Sequence, residues 1–153
     1  MTRVVQQSDR PWLPLDGDGE NFMKIIAVDG ERKQVVLMVK FGPNAVYPQH
    51  IHKATAVAYT VAGEWEYEEG VLSEGAWALE PPGTDHTPVV SSKGATILAI
   101  LTSDTDEFVE VPLPGGGVLK QDLAYFQHLY SLTAEQAAEQ HAVGVSMTTR
   151  ESA

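Results

Sequence analysis

Short runs in which apolar and polar residues alternate cover most of this chain, the pattern of strands with one buried face. Phe22 to Val28 and Gln34 to Phe41 are two such runs. Asp29-Gly30-Glu31-Arg32-Lys33 joins them, with Asp-Gly expected to supply the positive φ of a hairpin. Further strands are predicted at about 57–61, 64–68, 76–79, 87–90, 96–102 and 107–112, punctuated by Gly63, Gly70, Gly75, Gly83 and Gly94. Short strands at regular spacing, with no helical period between them, argue an antiparallel sandwich or barrel. Pro114-Gly115-Gly116-Gly117 reads as a hairpin loop rather than a phosphate cradle, since no Gly-Lys-Ser/Thr follows. Beyond it the period changes. Asp122 to Leu132 and Thr133 to Ala142 are predicted helices, the second opened by a Thr133/Gln136 capping box and ended at Gly144. The expected organisation is a flexible arm over 1–10, a barrel over 11–121, helices over 122–144 and a frayed tail over 145–153. Asp16, Asp18 and Glu20 read as a solvated turn, because a calcium loop would need an acid at its twelfth position.

Composition narrows the function. The chain has 153 residues, enough for one domain with a core, and 43% of them are hydrophobic. A net charge of −11 would repel a phosphate backbone or an anionic membrane, which argues against nucleic acid as a partner. The absence of cysteine removes disulfides, thiolate metal sites and a cysteine nucleophile. Arg3 and Arg10 have no apolar run behind them to form a signal peptide, and Ile97 to Leu101 is too short to cross a bilayer. A cytoplasmic setting is the expectation.

Candidate chemistry gathers between residues 50 and 86. His50-Ile51-His52 on a strand places both imidazoles on one face, about 6.5 Å apart, and turns Ile51 the other way. Such a pair is half of a chelate. His86 follows the stiff turn Pro81-Pro82-Gly83 and can be aimed at the same point, completing three ligands with open positions opposite. His128 and His141 fall in the predicted helices without partner spacing and read as structural or exposed. Glu80 could offer a carboxylate to the site, and Asp85 faces away from His86 by alternation. Trp65, Tyr67 and Trp77 read as barrel wall or subunit interface.

The spacing resembles the two-part signature of the cupin superfamily. Gly75, five residues, Pro81, one residue, Gly83, two residues and His86 match its second motif. The first motif departs from it: Gly42 sits two residues too far from His50, and no acid follows His52, Val57 standing where the resemblance would place a glutamate. Together with Gly63-Glu64-Trp65-Glu66-Tyr67 and Leu79-Glu80-Pro81-Pro82-Gly83-Thr84-Asp85-His86-Thr87, this looks most like the three-His carbon–carbon-cleaving dioxygenases, the 2,4'-dihydroxyacetophenone and acetylacetone types. The acetylacetone type carries a glutamate and a tyrosine where this chain has Val57-Ala58, so the other branch fits better.

The resemblance implies an all-β, single-domain jelly-roll barrel with a short helical C-terminal tail. It implies one divalent metal ion on His50, His52 and His86, with Fe(II) favoured, although imidazoles equally suit Zn(II) or Ni(II). The implied reaction is cleavage of a small ketone, an aryl hydroxyketone or a 1,3-diketone, with O2. Tyr59 and Glu80 are the candidate catalytic residues, and Val57, Tyr59 and Val61 the candidate pocket wall, on the expectation that they point into the barrel. Two alternatives stand beside it: a non-oxidative metal enzyme (isomerase, lyase or hydrolase), or a non-catalytic binding cupin like the cupin half of certain anti-sigma factors. Open strand edges, with Trp12 and Trp65 near them, lead to the expectation of a homo-oligomer, dimer or tetramer.

Overall fold

The computed structural model describes residues 1–17 and 19–150. Thirteen strands and two helices follow one another in it. They are β1 (Leu13–Pro14), β2 (Phe22–Asp29), β3 (Gln34–Phe41), β4 (Ala45–Val46), β5 (His50–His52), β6 (Thr55–Tyr67), β7 (Gly70–Ser73) and β8 (Trp77–Glu80). Then come β9 (Asp85–His86), β10 (Val89–Thr102), β11 (Glu107–Pro112), β12 (Val118–Asp122), α1 (Leu123–Tyr130), α2 (Ala134–Glu139) and β13 (Thr148–Thr149). A 3-10 turn spans Gln7–Asp9. Two antiparallel sheets result, one of nine strands centred on β10 and one of four in the order β12-β11-β5-β9. This is the jelly-roll barrel expected, and the apolar core lies between the sheets.

Several predicted breaks prove to be continuous strands. β6 runs through Gly63 and β10 through Gly94, with register shifts where they pair. Both glycines have positive φ, and a Cβ on Gly63 would lie 2.0 Å from the Gly94 carbonyl oxygen. They are bulges that let two long strands cross closely, not turns. The first hairpin holds, by a different device. Its positive φ falls on Lys33, while Asp29 Oδ1 accepts from the N–H groups of Glu31 and Arg32 at 3.0 Å, a local Asx arrangement. The Gly115 loop does join β11 to β12. α1 is capped by Asp122, and α2 begins with the Thr133/Gln136 capping box.

The two ends of the chain are held more firmly than expected. Arg10 Nε donates to the Ile25 carbonyl at 2.8 Å and Nη2 to that of Tyr130 at 2.9 Å, with the guanidinium 3.9 Å above the Tyr130 ring. Lys24 Nζ donates to the Gln7 carbonyl at 3.0 Å. The arm's second half is thus pinned to the barrel. At the other end Val143 and Val145 are buried, Val145 N–H donates to the Leu15 carbonyl, and β13 pairs with β4. A tail with buried valines and strand pairing is docked rather than frayed. Asp16 accepts from Met147 N–H; Asp18, the middle acid of that turn, and residues 151–153 lie outside the described residues. Among the described residues no helix is long and apolar enough to cross a membrane.

Candidate metal centre

The four-stranded sheet brings the histidines together. β5 pairs with β9 so that His50 lies directly opposite His86. Both flanks of β5 are fixed by backbone bonds: His52 N–H to Thr84 O at 2.8 Å, Gly83 N–H to His52 O at 2.7 Å, and Lys53 N–H to Phe108 O at 2.8 Å. The turn that delivers His86 has Pro82 at its second position and Gly83, with φ +94°, at its third. Thr84 N–H closes it onto the Pro81 carbonyl at 3.2 Å, the form of a type II turn. As alternation requires, Asp85 turns outward, where Gln49 Nε2 donates to its Oδ1, and His86 turns in.

His50, His52 and His86 are all buried, and each offers a ring nitrogen within 4.8 Å of the others. His50 Nδ1 donates to the Pro48 carbonyl at 3.0 Å, which leaves its Nε2 lone pair facing inward. His52 Nε2 lies 3.1 Å from His86 Nε2, and His86 Nε2 lies 2.9 Å from His50 Nε2. Ligands held 2.0–2.1 Å from one ion at right angles would stand about 3.0 Å apart, so the spacing fits a facial set of three. Burial, reinforced by the neighbouring His52, pushes His50 down to about 3. Burial also lowers His86, with the Glu80 carboxylate opposing. Neutral imidazoles are the form that binds metal.

Glu80 stands beside the group. It is 5% exposed, and its Oε2 lies 2.9 Å from His52 Nε2 and 3.2 Å from His86 Nε2. Among these inward-facing groups Glu80 Oε2 finds no hydrogen-bond donor; a cation held by the three histidines would offset that buried carboxylate. The missing acid of the first motif is explained by the same register. Ala56, not Val57, is the β6 residue on this face, and it pairs directly with Glu80 on β8. A carboxylate absent from one strand is supplied from the position across the ladder, where cross-strand side chains are neighbours.

The pocket wall differs from the one expected. A cavity of about 110 Å³ opens beside the histidines, lined on its apolar side by Leu37, Ile97, Leu101, Val109 and Phe126 among others, and on its polar side by Tyr47, Glu80 and Gln121. Val57, Tyr59 and Val61 do not reach it. On β6 the buried residues are Ala56, Ala58 and Thr60, so Val57 and Tyr59 take the outer face, where Tyr59 stacks on Trp77 at 4.6 Å. Val61 falls in the register shift between Thr60 and Ala62 and is exposed. The reason is spatial: beside the histidines the strand turns its alanines inward and leaves room for a ligand. Tyr59 is therefore removed from the candidate catalytic residues. Trp65 is buried at 4%, donates from Nε1 to Thr60 Oγ1 at 2.9 Å and lines the cavity. It is barrel wall and offers nothing to a partner subunit; Trp77 and Leu79, 60% and 75% exposed, are among the large apolar groups on the surface. His128 and His141 are exposed.

Sequence reasoning did not single out Tyr47 or Gln121. The Tyr47 ring meets His50 edge-on, with centroids 4.9 Å apart, and burial raises its phenol to about 12. On the other side Tyr67 packs on His86 at 4.5 Å. Glu80 also lines a surface cleft of about 470 Å³ with Tyr67, Trp77 and Pro81, so the carboxylate stands between that cleft and the buried cavity. Tyrosine three residues before the first histidine was a readable signal for Tyr47. Gln121, in a strand rich in polar residues, carried none.

Solved structures share the fold. An RmlC-like cupin from Ralstonia eutropha JMP134 superposes with a TM-score of 0.74 at 20% identity, covering 95% of this chain and 92% of that one. An acetylacetone dioxygenase from Acinetobacter johnsonii superposes with a TM-score of 0.67 at 12% identity, covering 85% and 90%. A curated protein of Cereibacter sphaeroides, assigned as the dimethylsulfoniopropionate lyase DddL, is 33% identical over 76 residues. That match takes in 48% of this chain and 33% of the curated relative's length. The model of the ChrR cupin-like domain matches residues 1–104: the chain belongs to the ChrR cupin-like family, within the cupins.

Proposed function

We propose that the chain is a metal-dependent enzyme that cleaves a carbon–carbon bond of a small ketone with dioxygen. The observation that carries the reading is the convergence of three buried imidazole Nε2 atoms and one carboxylate oxygen at the wall of an apolar cavity. His50, His52 and His86 would hold the ion, Fe(II) first. A bound divalent ion would supply Lewis acidity toward two ketone oxygens and, as iron, a route for electrons to dioxygen. The protein's own part is electrostatic and steric. Three imidazole ligands add no charge, so a divalent centre would stay positive and would attract a singly ionised hydroxyketone or diketone. Glu80 Oε2, beside His52 and His86, would take the proton that such a ketone loses on binding. The apolar wall keeps bulk water from the ionised ligand, and with no arginine or lysine among the described residues that line the cavity, dicarboxylates should be poor ligands.

The test is anaerobic loading with Fe(II), addition of a panel of hydroxyketones and 1,3-diketones, then admission of oxygen. A charge-transfer band followed by stoichiometric oxygen uptake supports the reading, with two carboxylic acids formed from a hydroxyketone, or one carboxylic acid and a 1,2-dicarbonyl from a 1,3-diketone. A panel that leaves the metal spectrum unchanged and consumes no oxygen refutes it.

A second reading, non-oxidative elimination, is favoured by the 33% identity to the protein assigned as a lyase. There Glu80 would remove a carbon-bound proton while the ion holds a carboxylate or carbonyl. Product formation under strict anaerobiosis separates it from the first.

A further inference from the structure

We infer that Gln121, with Tyr47 beside it, forms a second recognition point in the cavity, specific for a neutral hydroxyl or carbonyl group on the part of the ligand away from the metal. The inference rests on the proposed metal site and adds to it the other end of the ligand. Register fixes the placement. His52 on β5 pairs with Val109 on β11, and Val109 pairs in turn with Gln121 on β12. The three form one row across the four-stranded sheet, all buried and all lining the cavity. Two strand spacings put Gln121 about 10 Å from His52 along that row. A ligand chelated near His52 therefore extends over Val109 and ends at the Gln121 amide.

A glutamine 3% exposed in an otherwise apolar wall costs stability unless its amide is used. Part of that capacity is committed to holding it still. Gln121 Nε2 donates to Tyr125 Oη at 3.3 Å, and Tyr125 Oη donates to the Val143 carbonyl at 2.7 Å. The amide also lies close enough to Tyr47 to oppose the effect of burial on that phenol. An amide has two donors and a carbonyl with two lone pairs, so capacity remains at the cavity wall. It suits a neutral partner: Gln121 carries no charge, and its flanking groups are phenols. Gln121 lies beyond residues 1–104, the range the family model matches, as does Phe126, which α1 contributes to the same wall.

The test uses two chelating hydroxypyranones that differ at one group, kojic acid with a hydroxymethyl arm and allomaltol with a methyl in its place. Each is titrated into the Co(II)-loaded full chain, and the visible metal spectrum reports binding. The native protein is expected to prefer kojic acid about tenfold, the size of one hydrogen bond in a dry site. Gln121→Met, of the same length and apolar, should abolish the preference, chiefly by weakening kojic acid binding. Gln121→Leu repeats the measurement if the first variant melts early, and Tyr47→Phe should reduce the preference less. Equal binding of both chelators by the native protein, or a preference that survives in the Gln121 variants, overturns the inference while the metal site stands. If neither chelator perturbs the spectrum, the metal-site reading itself fails and this one with it.

Discussion

The two sheets of the barrel are built on opposite plans. The four-stranded sheet is made of short pieces; β5 has three residues and β9 two. It nevertheless supplies all three histidines and Gln121. The nine-stranded sheet contains β6 and β10, of 13 and 14 residues, joined along most of their length. It contributes one polar group, Glu80, and otherwise gives the site space through Ala58 and apolar wall through Leu37, Ile97 and Leu101. A long ladder supplies the rigidity that short strands lack, and short strands bounded by proline and glycine turns can aim individual side chains. Changes in the large sheet should therefore act on stability, and changes at the small sheet and its facing carboxylate on chemistry.

The sharpest break in the large sheet is Gly63→Ala. Its added methyl would collide with the Gly94 carbonyl at a positive φ, and we expect a loss of about 3 kcal/mol or more, read as a fall in melting temperature. The metal content of the chains that remain folded should not change. The converse break is Glu80→Gln, nearly isosteric and uncharged. Turnover should fall at least about 100-fold with melting little altered, and turnover within a factor of two of native would remove Glu80 from the reaction. Trp65→Phe keeps the ring packing and loses the bond to Thr60; about 1–2 kcal/mol of stability should go with it, measured by urea unfolding. The smallest effect belongs to Tyr59→Phe, on the outer face: about 0.5 kcal/mol or less in stability and no change in ketone affinity. A large effect on affinity there would mean that β6 presents the other face to the ligand.

The same contrast explains what could be read from the amino-acid sequence. The three histidines were legible because His50 and His52 obey the period of a strand and His86 follows a turn whose geometry Pro82 and Gly83 determine. An antiparallel sandwich or barrel was legible in the spacing of short apolar runs, and the jelly roll in the resemblance that the motifs carry. The inner face of β6 was not. Val57, Tyr59 and Val61 are the larger apolar residues, and burial is ordinarily the fate of the larger set; here a cavity had to be left open, so the alanines turned inward. Glycines read as turns at 63 and 94 are bulges, because nothing local distinguishes a positive φ in a turn from one inside a strand. Glu80 was visible as an acid at a strand end, but its approach to His52 depends on the β6–β8 register, a long-range property. Gln121 depends on two further pairings and on the docking of residues 123–145.

The central claim is that His50, His52 and His86 together hold one divalent ion, and metal content tests it directly. Protein purified without chelator, or reconstituted anaerobically with Fe(II), should carry one ion per chain by elemental analysis. The His50→Ala/His52→Ala/His86→Ala variant, folded by circular dichroism, should carry none, since Glu80 alone is too weak a site. A folded triple variant that retains one ion per chain would contradict the account and place the metal elsewhere.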